Sequence, residues 1–225
     1  MNLRARTFVD DDGELTGKTE FTLKFRTPDV LLAARYHRTA RGFDPDSVLE
    51  EDIAPLQIKS SGKVAMPKQR TTYSRFAISS KENARARLET LRDATRRFPM
   101  LREGRAVFGQ DRIVAGDSAL KSGRTICEWV YQGALVDLGS IEAEFALTLW
   151  YVFDEPMRAD VWRRAKSGRI NPTIAEISFD FPLEEEKMGA GDALRAMQLF
   201  NAMQTELPVN PTETSKTALG LPGAD

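Results

Sequence analysis

Between Ser140 and Asp154 the chain reads SIEAEFALTLWYVFD, and apolar side chains return at every second position: Ile141, Ala143, Phe145, Leu147 and Leu149. A period of two belongs to a strand, so these five share one face while Glu142, Glu144, Ala146 and Thr148 share the other. The segment therefore has to sit in a sheet, one side apolar and the other presenting two carboxylates side by side.

Several further segments repeat that design with other charges. Leu3 to Val9 is strand-like and carries Arg4 and Arg6; the turn signal Asp12-Gly13 follows, and Lys18 to Arg26 then alternates Phe21, Leu23 and Phe25 with Glu20, Thr22, Lys24 and Arg26. An antiparallel hairpin is predicted. Val48 to Ile53 sets Glu50 and Asp52 opposite Leu49 and Ile53, with Glu51 on the apolar side at an edge, and Pro55 ends the strand. Leu56 to Phe76 reads as two or three short segments and is the most basic window of the chain, with Lys59, Lys63, Lys68, Arg70 and Arg75. Short strands are expected around Ala106 to Phe108 and Arg112 to Ala115. A longer one is expected from Thr125 to Leu135, interrupted by Gly133 and turning through Asp137 to Ser140 into the opening segment. Ala175 to Phe181 closes the series with Glu176, Ser178 and Asp180 opposite Ile177, Phe179 and Phe181.

Four helices are expected. Thr27-Pro28-Asp29 reads as an N-cap, a first-turn proline and an early acid, opening a helix to about Tyr36. Ser80 to Phe98 has apolar positions at helical spacing and an arginine-rich opposite face, and Pro99 stops it. Pro156 to Ala165 and Gly191 to Glu206 are the other two. From Pro208 the composition predicts a disordered tail, 208–225, after a single domain over 1–207. The expected class is α+β: an antiparallel β-barrel or strongly curved sheet, with helices packed outside.

Composition narrows the chemistry. Lysine and arginine number 32 against 33 aspartate and glutamate, so no general nucleic-acid surface is implied, although a local basic patch is not excluded. One cysteine, Cys127, excludes an internal disulfide and a multi-cysteine zinc site; one histidine, His37, leaves little for histidine-based catalysis. Cys127 reads as a small buried hydrophobe, and His37 as a partner for helix C-terminal carbonyls. Trp129, Tyr131, Trp150 and Tyr151 read as packing residues before they read as platforms for a base. With neither a membrane-length apolar run nor a signal-peptide pattern, a cytoplasmic protein that does not associate with membrane is expected.

Two accounts of the charged faces stand side by side. Each could be the wet side of a half-buried sheet. Alternatively, since amphipathic helices need an apolar sheet surface to cover, helices outside would turn the charged faces inward and make a polar tunnel. Sorting of sign by strand favours the second: Arg4 with Arg6, Lys24 with Arg26 and Lys68 with Arg70 are basic pairs, whereas Glu50 with Asp52 and Glu142 with Glu144 are acidic. Such a tunnel has a use, because arginine and lysine hold phosphate oxygens and carboxylates bind Mg²⁺ or Mn²⁺.

Leu3-Arg4-Ala5-Arg6, a turn, and Phe21-Thr22-Leu23-Lys24-Phe25-Arg26 resemble the "LRxR … TxKxR" hairpin of the CYTH superfamily, the triphosphate tunnel proteins. Leu49-Glu50-Glu51-Asp52 is similar to that family's acidic strand, and the Lys68/Arg70 segment to a further tunnel wall. Ile141-Glu142-Ala143-Glu144-Phe145 and Ala175-Glu176-Ile177-Ser178-Phe179 resemble its C-terminal strands. The resemblance implies phosphate-binding roles for Arg4, Arg6, Lys24, Arg26, Lys68 and Arg70. It implies catalytic and metal-binding roles for Glu142 and Glu144, with Glu50, Asp52 and Glu176 as further metal ligands for Mg²⁺ or Mn²⁺. The implied function is a metal-dependent hydrolase, or a phosphoryl- or nucleotidyl-transfer enzyme, acting on a small molecule that contains a triphosphate or polyphosphate. The alternative is a non-catalytic module for polyphosphate, nucleotide or RNA. The family's N-terminal ExExK strand has no counterpart ahead of Leu3. Three readings follow: a reading frame that starts upstream, metal ligands supplied by the carboxylates just named, or anion binding without catalysis.

Overall fold

The structure is a computed structural model and describes residues 2–10, 13–55, 58–60, 63–65, 72–84, 88–98, 101, 117–155, 158–182, 188–207 and 220. Among them lie nine strands and four helices, an α+β fold with all strand pairs antiparallel. The chain divides into two compact units, one of residues 1–56 and 71–121, the other of residues 57–70 and 122–225.

The first unit is built on a four-stranded sheet. β1 (Asn2–Val9), β2 (Leu15–Thr27), β3 (Val48–Pro55) and β6 (Thr72–Ala84) lie in the order β1-β2-β6-β3. The hairpin expected at the N-terminus is present, with Arg4 opposite Thr22 and Arg6 opposite Glu20. The sheet curls into a half-barrel with helices on its outer side. Alternation decides which face goes where. Phe21, Leu23, Phe25 and Ile78 form a buried cluster with Ala33, Tyr36 and Ala40 of α1 (Val30–Arg41) and with Phe98, which ends α2 (Leu91–Arg97). Every second residue of β2, from Glu20 through Thr22 and Lys24 to Arg26, therefore turns to the inner side.

Two helical expectations change in detail. Asp29, not Thr27, is the N-cap of α1: its carboxylate accepts from Leu31 N and Leu32 N at 2.9 and 3.0 Å, and Thr27 Oγ1 accepts from Asp29 N instead. The helix runs on to Arg41, so His37 lies inside it and its Nε2 bonds the Ser47 carbonyl at 2.9 Å. The larger correction concerns Ser80 to Phe98. Its first five residues belong to β6, which is paired to β2 as far as Ala84. Helix starts only at Leu91, where Thr90 and Asp93 make a capping box. Continued pairing with β2, from Ser80 opposite Leu23 to Ala84 opposite Thr19, outweighs the helical spacing of Ala84 and Leu88.

The second unit holds the hairpin β4 (Ile58–Ser60) and β5 (Lys63–Ala65), and a three-stranded sheet of β7 (Thr125–Asp137), β8 (Glu142–Phe153) and β9 (Ile174–Asp180). The segment from Ser140 to Asp154 supplies the middle strand, β8. α3 (Ala159–Lys166) covers one end of the sheet through Val161 and Ala165 against Cys127 and Tyr151. α4 (Ala190–Glu206) covers the other through Ala196 and Leu199, which pack with Ile141, Ala143 and Phe179. Gly133, at φ 107°, sits at a shift of register between Gln132 and Ala134, and this bulge returns Val136 to the covered face. The strands expected at Ala106 to Phe108 and Arg112 to Ala115, and most of the expected tail, lie outside the described residues. Gly220 is described, and its carbonyl accepts from Arg124 N at 3.1 Å. No helix among the described residues is long and apolar enough to cross a membrane.

Candidate functional site

The N-terminal hairpin and its neighbours place six of the expected site residues on one inner face. Arg4 and Arg6 come from β1, Lys24 and Arg26 from β2, Glu50 and Asp52 from β3, each two residues from its partner and so on the same side of its strand. The cations are well covered for their type, with side-chain exposures of 34% for Arg6, 21% for Lys24 and 30% for Arg26. Thr22, between the two charged rows, is buried.

The signs that are sorted by strand in the sequence are joined in space. Lys24 Nζ donates to Glu50 Oε2 at 2.5 Å, Arg26 Nε donates to Asp52 Oδ2 at 3.1 Å, and Arg6 lies 3.9 Å from Glu20 Oε1. Both of the first two pairs span β6, because β2 and β3 flank it. Glu20 enters this face beside the basic residues, and only the register of the hairpin, Arg6 opposite Glu20, reveals that it meets an arginine. Lys68 and Arg70 lie outside the described residues.

Glu142, Glu144 and Glu176 stand on the second sheet. Glu144 is opposite Asp180 and Leu135, Glu142 is opposite Asp137, and Glu176 is opposite Thr148. The polar face of β7, β8 and β9 thus carries Asp137, Glu142, Glu144, Glu176 and Asp180, an acidic surface in contrast to the mixed one of the first sheet. Among the described residues no group of three or more His, Cys, Asp or Glu is gathered closely enough to hold a metal ion. Glu50 and Asp52 are nevertheless suitable donors of a different kind: Mg²⁺ is commonly held by one or two carboxylates together with the phosphates of its substrate.

The remaining candidates have structural employment. Cys127 is buried, and burial pushes its thiol up to about 11, away from nucleophilic use. Trp129 stacks between Trp162 and Tyr131, with ring centroids 5.5 and 6.3 Å away, and Trp150 and Tyr151 are buried.

A cluster beyond these expectations joins the β7–β8 turn to the start of α4. Asp192 accepts from Ser140 Oγ, from Gly189 N at 2.9 Å and from Arg195 at 2.5 Å. Its closest sequence signal is an acid at the third position of a helix. Compared with family models, curated proteins and solved structures, the chain matches none.

Proposed function

We propose that the inner face of the first sheet binds a small molecule carrying a triphosphate or polyphosphate, and that with Mg²⁺ or Mn²⁺ the protein hydrolyses or transfers a phosphoryl or nucleotidyl group, the half-barrel being one wall of a charged tunnel. The observation that carries this reading is the convergence of Arg4, Arg6, Lys24 and Arg26 from adjacent strands on the side of the sheet turned away from the helices. Oxyanions are bound best by cations already relieved of part of their water, and these side chains are largely covered.

In this reading Lys24 and Arg26 hold the phosphate oxygens, and Arg4 and Arg6 extend the same row along β1. Glu50 and Asp52 are the hard oxygen donors nearest to that row. A bound Mg²⁺ or Mn²⁺ would bridge phosphate oxygens and neutralise charge that develops on them. Glu142, Glu144 and Glu176 are the carboxylates that the family resemblance adds for catalysis and metal binding.

A second reading, a non-catalytic module for polyphosphate, nucleotide or RNA, is favoured by one observation: no cluster of three metal-binding side chains among the described residues. Calorimetric titration with tripolyphosphate, with and without Mg²⁺, combined with an assay of phosphate release, separates the two. Metal-dependent release is expected, and Lys24→Ala and Arg26→Ala should each weaken binding roughly ten-fold, the scale of one charge-assisted hydrogen bond. Binding without release would select the second reading, and binding that ignores both substitutions would end the assignment of this face.

A further inference from the structure

The ion pairs of the inner face have a direction. In Lys24–Glu50 and Arg26–Asp52 the cations are the covered partners, at 21% and 30% exposure, and the carboxylates the open ones, at 42% and 43%. Register explains the arrangement. Lys24 is level with Ser79 of β6 and with Val48 beyond it, while Arg26 is level with Ala77 and Glu50. Each cation therefore reaches diagonally across β6, over about two strand spacings of roughly 4.8 Å, to a carboxylate two residues further along β3. Only long basic side chains make that reach, and the β6 residues level with them, Ala77 and Ser79, are small. The result is a pair of cations each tied to a more exposed carboxylate of the edge strand.

We propose that Glu50 and Asp52 act as a built-in competitor for the phosphate-binding cations: the acidic edge strand occupies Lys24 and Arg26 in the free protein, and a polyphosphate binds by displacing it. The proposal rests on the reading of this face as a phosphate site, and adds that β3 sets the affinity threshold. An ion pair that must be broken subtracts its own stability from the binding of the incoming anion. Partly exposed pairs are worth about 0.2 to 1 kcal/mol each, so the two together lower affinity by roughly 2- to 30-fold. The device also gives selectivity. A single phosphate replaces one carboxylate and gains little, whereas a chain of phosphates replaces both in one binding event.

The test is tripolyphosphate binding measured by calorimetry in metal-free buffer. Glu50→Gln/Asp52→Asn, which keeps the shape of both side chains, is expected to bind on the order of ten-fold more tightly than the wild type, with a smaller improvement for inorganic phosphate. Glu50→Gln alone should show part of the gain and carries the test if the double variant loses its circular-dichroism spectrum. In a Lys24→Ala background the gain from Glu50→Gln should vanish, because the carboxylate then has no cation to release. Unchanged or weaker binding by the carboxamide variants overturns the proposal while leaving the phosphate site intact. A gain that persists without Lys24 overturns it too, by showing general charge repulsion. Failure of every form, wild type included, to bind tripolyphosphate removes the functional reading and this inference with it.

Discussion

Asp192 is a carboxylate buried by the fold and supplied with donors. It accepts from the Ser140 hydroxyl, from Gly189 N and from the Arg195 guanidinium, and these bonds hold its carboxyl well below the ordinary 3.8 despite the opposing effect of burial. A depressed folded-state pKa contributes stability above the unfolded value, and that stability is lost as pH falls through the folded one. Asp192→Asn should therefore lower the melting temperature at neutral pH, with the gap to the wild type closing as the pH drops below about 4. A gap constant from pH 7 to pH 2.5 would contradict the linkage. The neighbouring Gly139 belongs to the same cluster: its φ is 116°, and a Cβ there would run into the Arg195 guanidinium and the Asp192 carboxylate. Both the backbone angle and the close approach require glycine.

Among the elements, β7 shows how one residue sets two faces. Up to Gln132 the strand sends Cys127 and Trp129 toward the helix-covered side; beyond the bulge at Gly133 it sends Val136 there and Leu135 and Asp137 to the other. Were Gly133 paired as an ordinary strand residue those sides would exchange, putting Val136 out and Asp137 in, whereas deleting it alone joins Gln132, opposite Ala146, to Ala134, opposite Phe145, and leaves every side as it is. Deletion of Gly133 together with Ala134 does exchange them, and is expected to destabilise the protein by several kcal/mol, the scale of a lost buried side chain plus a buried charge. Gly133→Ala should cost only about 1 to 2 kcal/mol for the left-handed backbone, since no atom lies within 4 Å of the added carbon. Chemical denaturation measures both, and equal losses would show that register is not what the bulge controls. β6 teaches the complementary lesson. Helical spacing continues backward from Phe98 through Leu91 and Leu88 to Ala84, yet Ala84 pairs with Thr19 of β2.

For the whole molecule, charge is distributed by sheet. The first sheet's inner face mixes cations with carboxylates in ion pairs, and the second sheet's polar face is acidic, with Glu142 and Glu144 on its middle strand. In the function proposed above, those two glutamates would carry catalysis. Glu144→Gln is expected to abolish metal-dependent phosphate release while the circular-dichroism spectrum and melting temperature stay close to the wild type. Unchanged turnover would take Glu144 out of the catalytic assignment and leave the carboxylates of β3 to answer for it.

Alternation with period two was enough, from residues alone, to establish the β1–β2 and β7–β8 hairpins, the α+β class and the side of each strand on which Arg4, Lys24, Glu50 and Glu144 would stand. Those are local consequences of an extended backbone, and they need no partner. Which strand lies beside which depends on hydrogen bonds between residues far apart in the chain, and so the tertiary structure alone decided that β6 would enter between β2 and β3. That insertion brought Lys24 to Glu50 and Arg26 to Asp52, and the further pairing of β6 with β2 made strand of Ser80 to Ala84, which had read as helix. Charges that read as separate basic and acidic strands became a single paired surface, because a long cationic side chain spans two strand spacings once the strand between is small at the crossing.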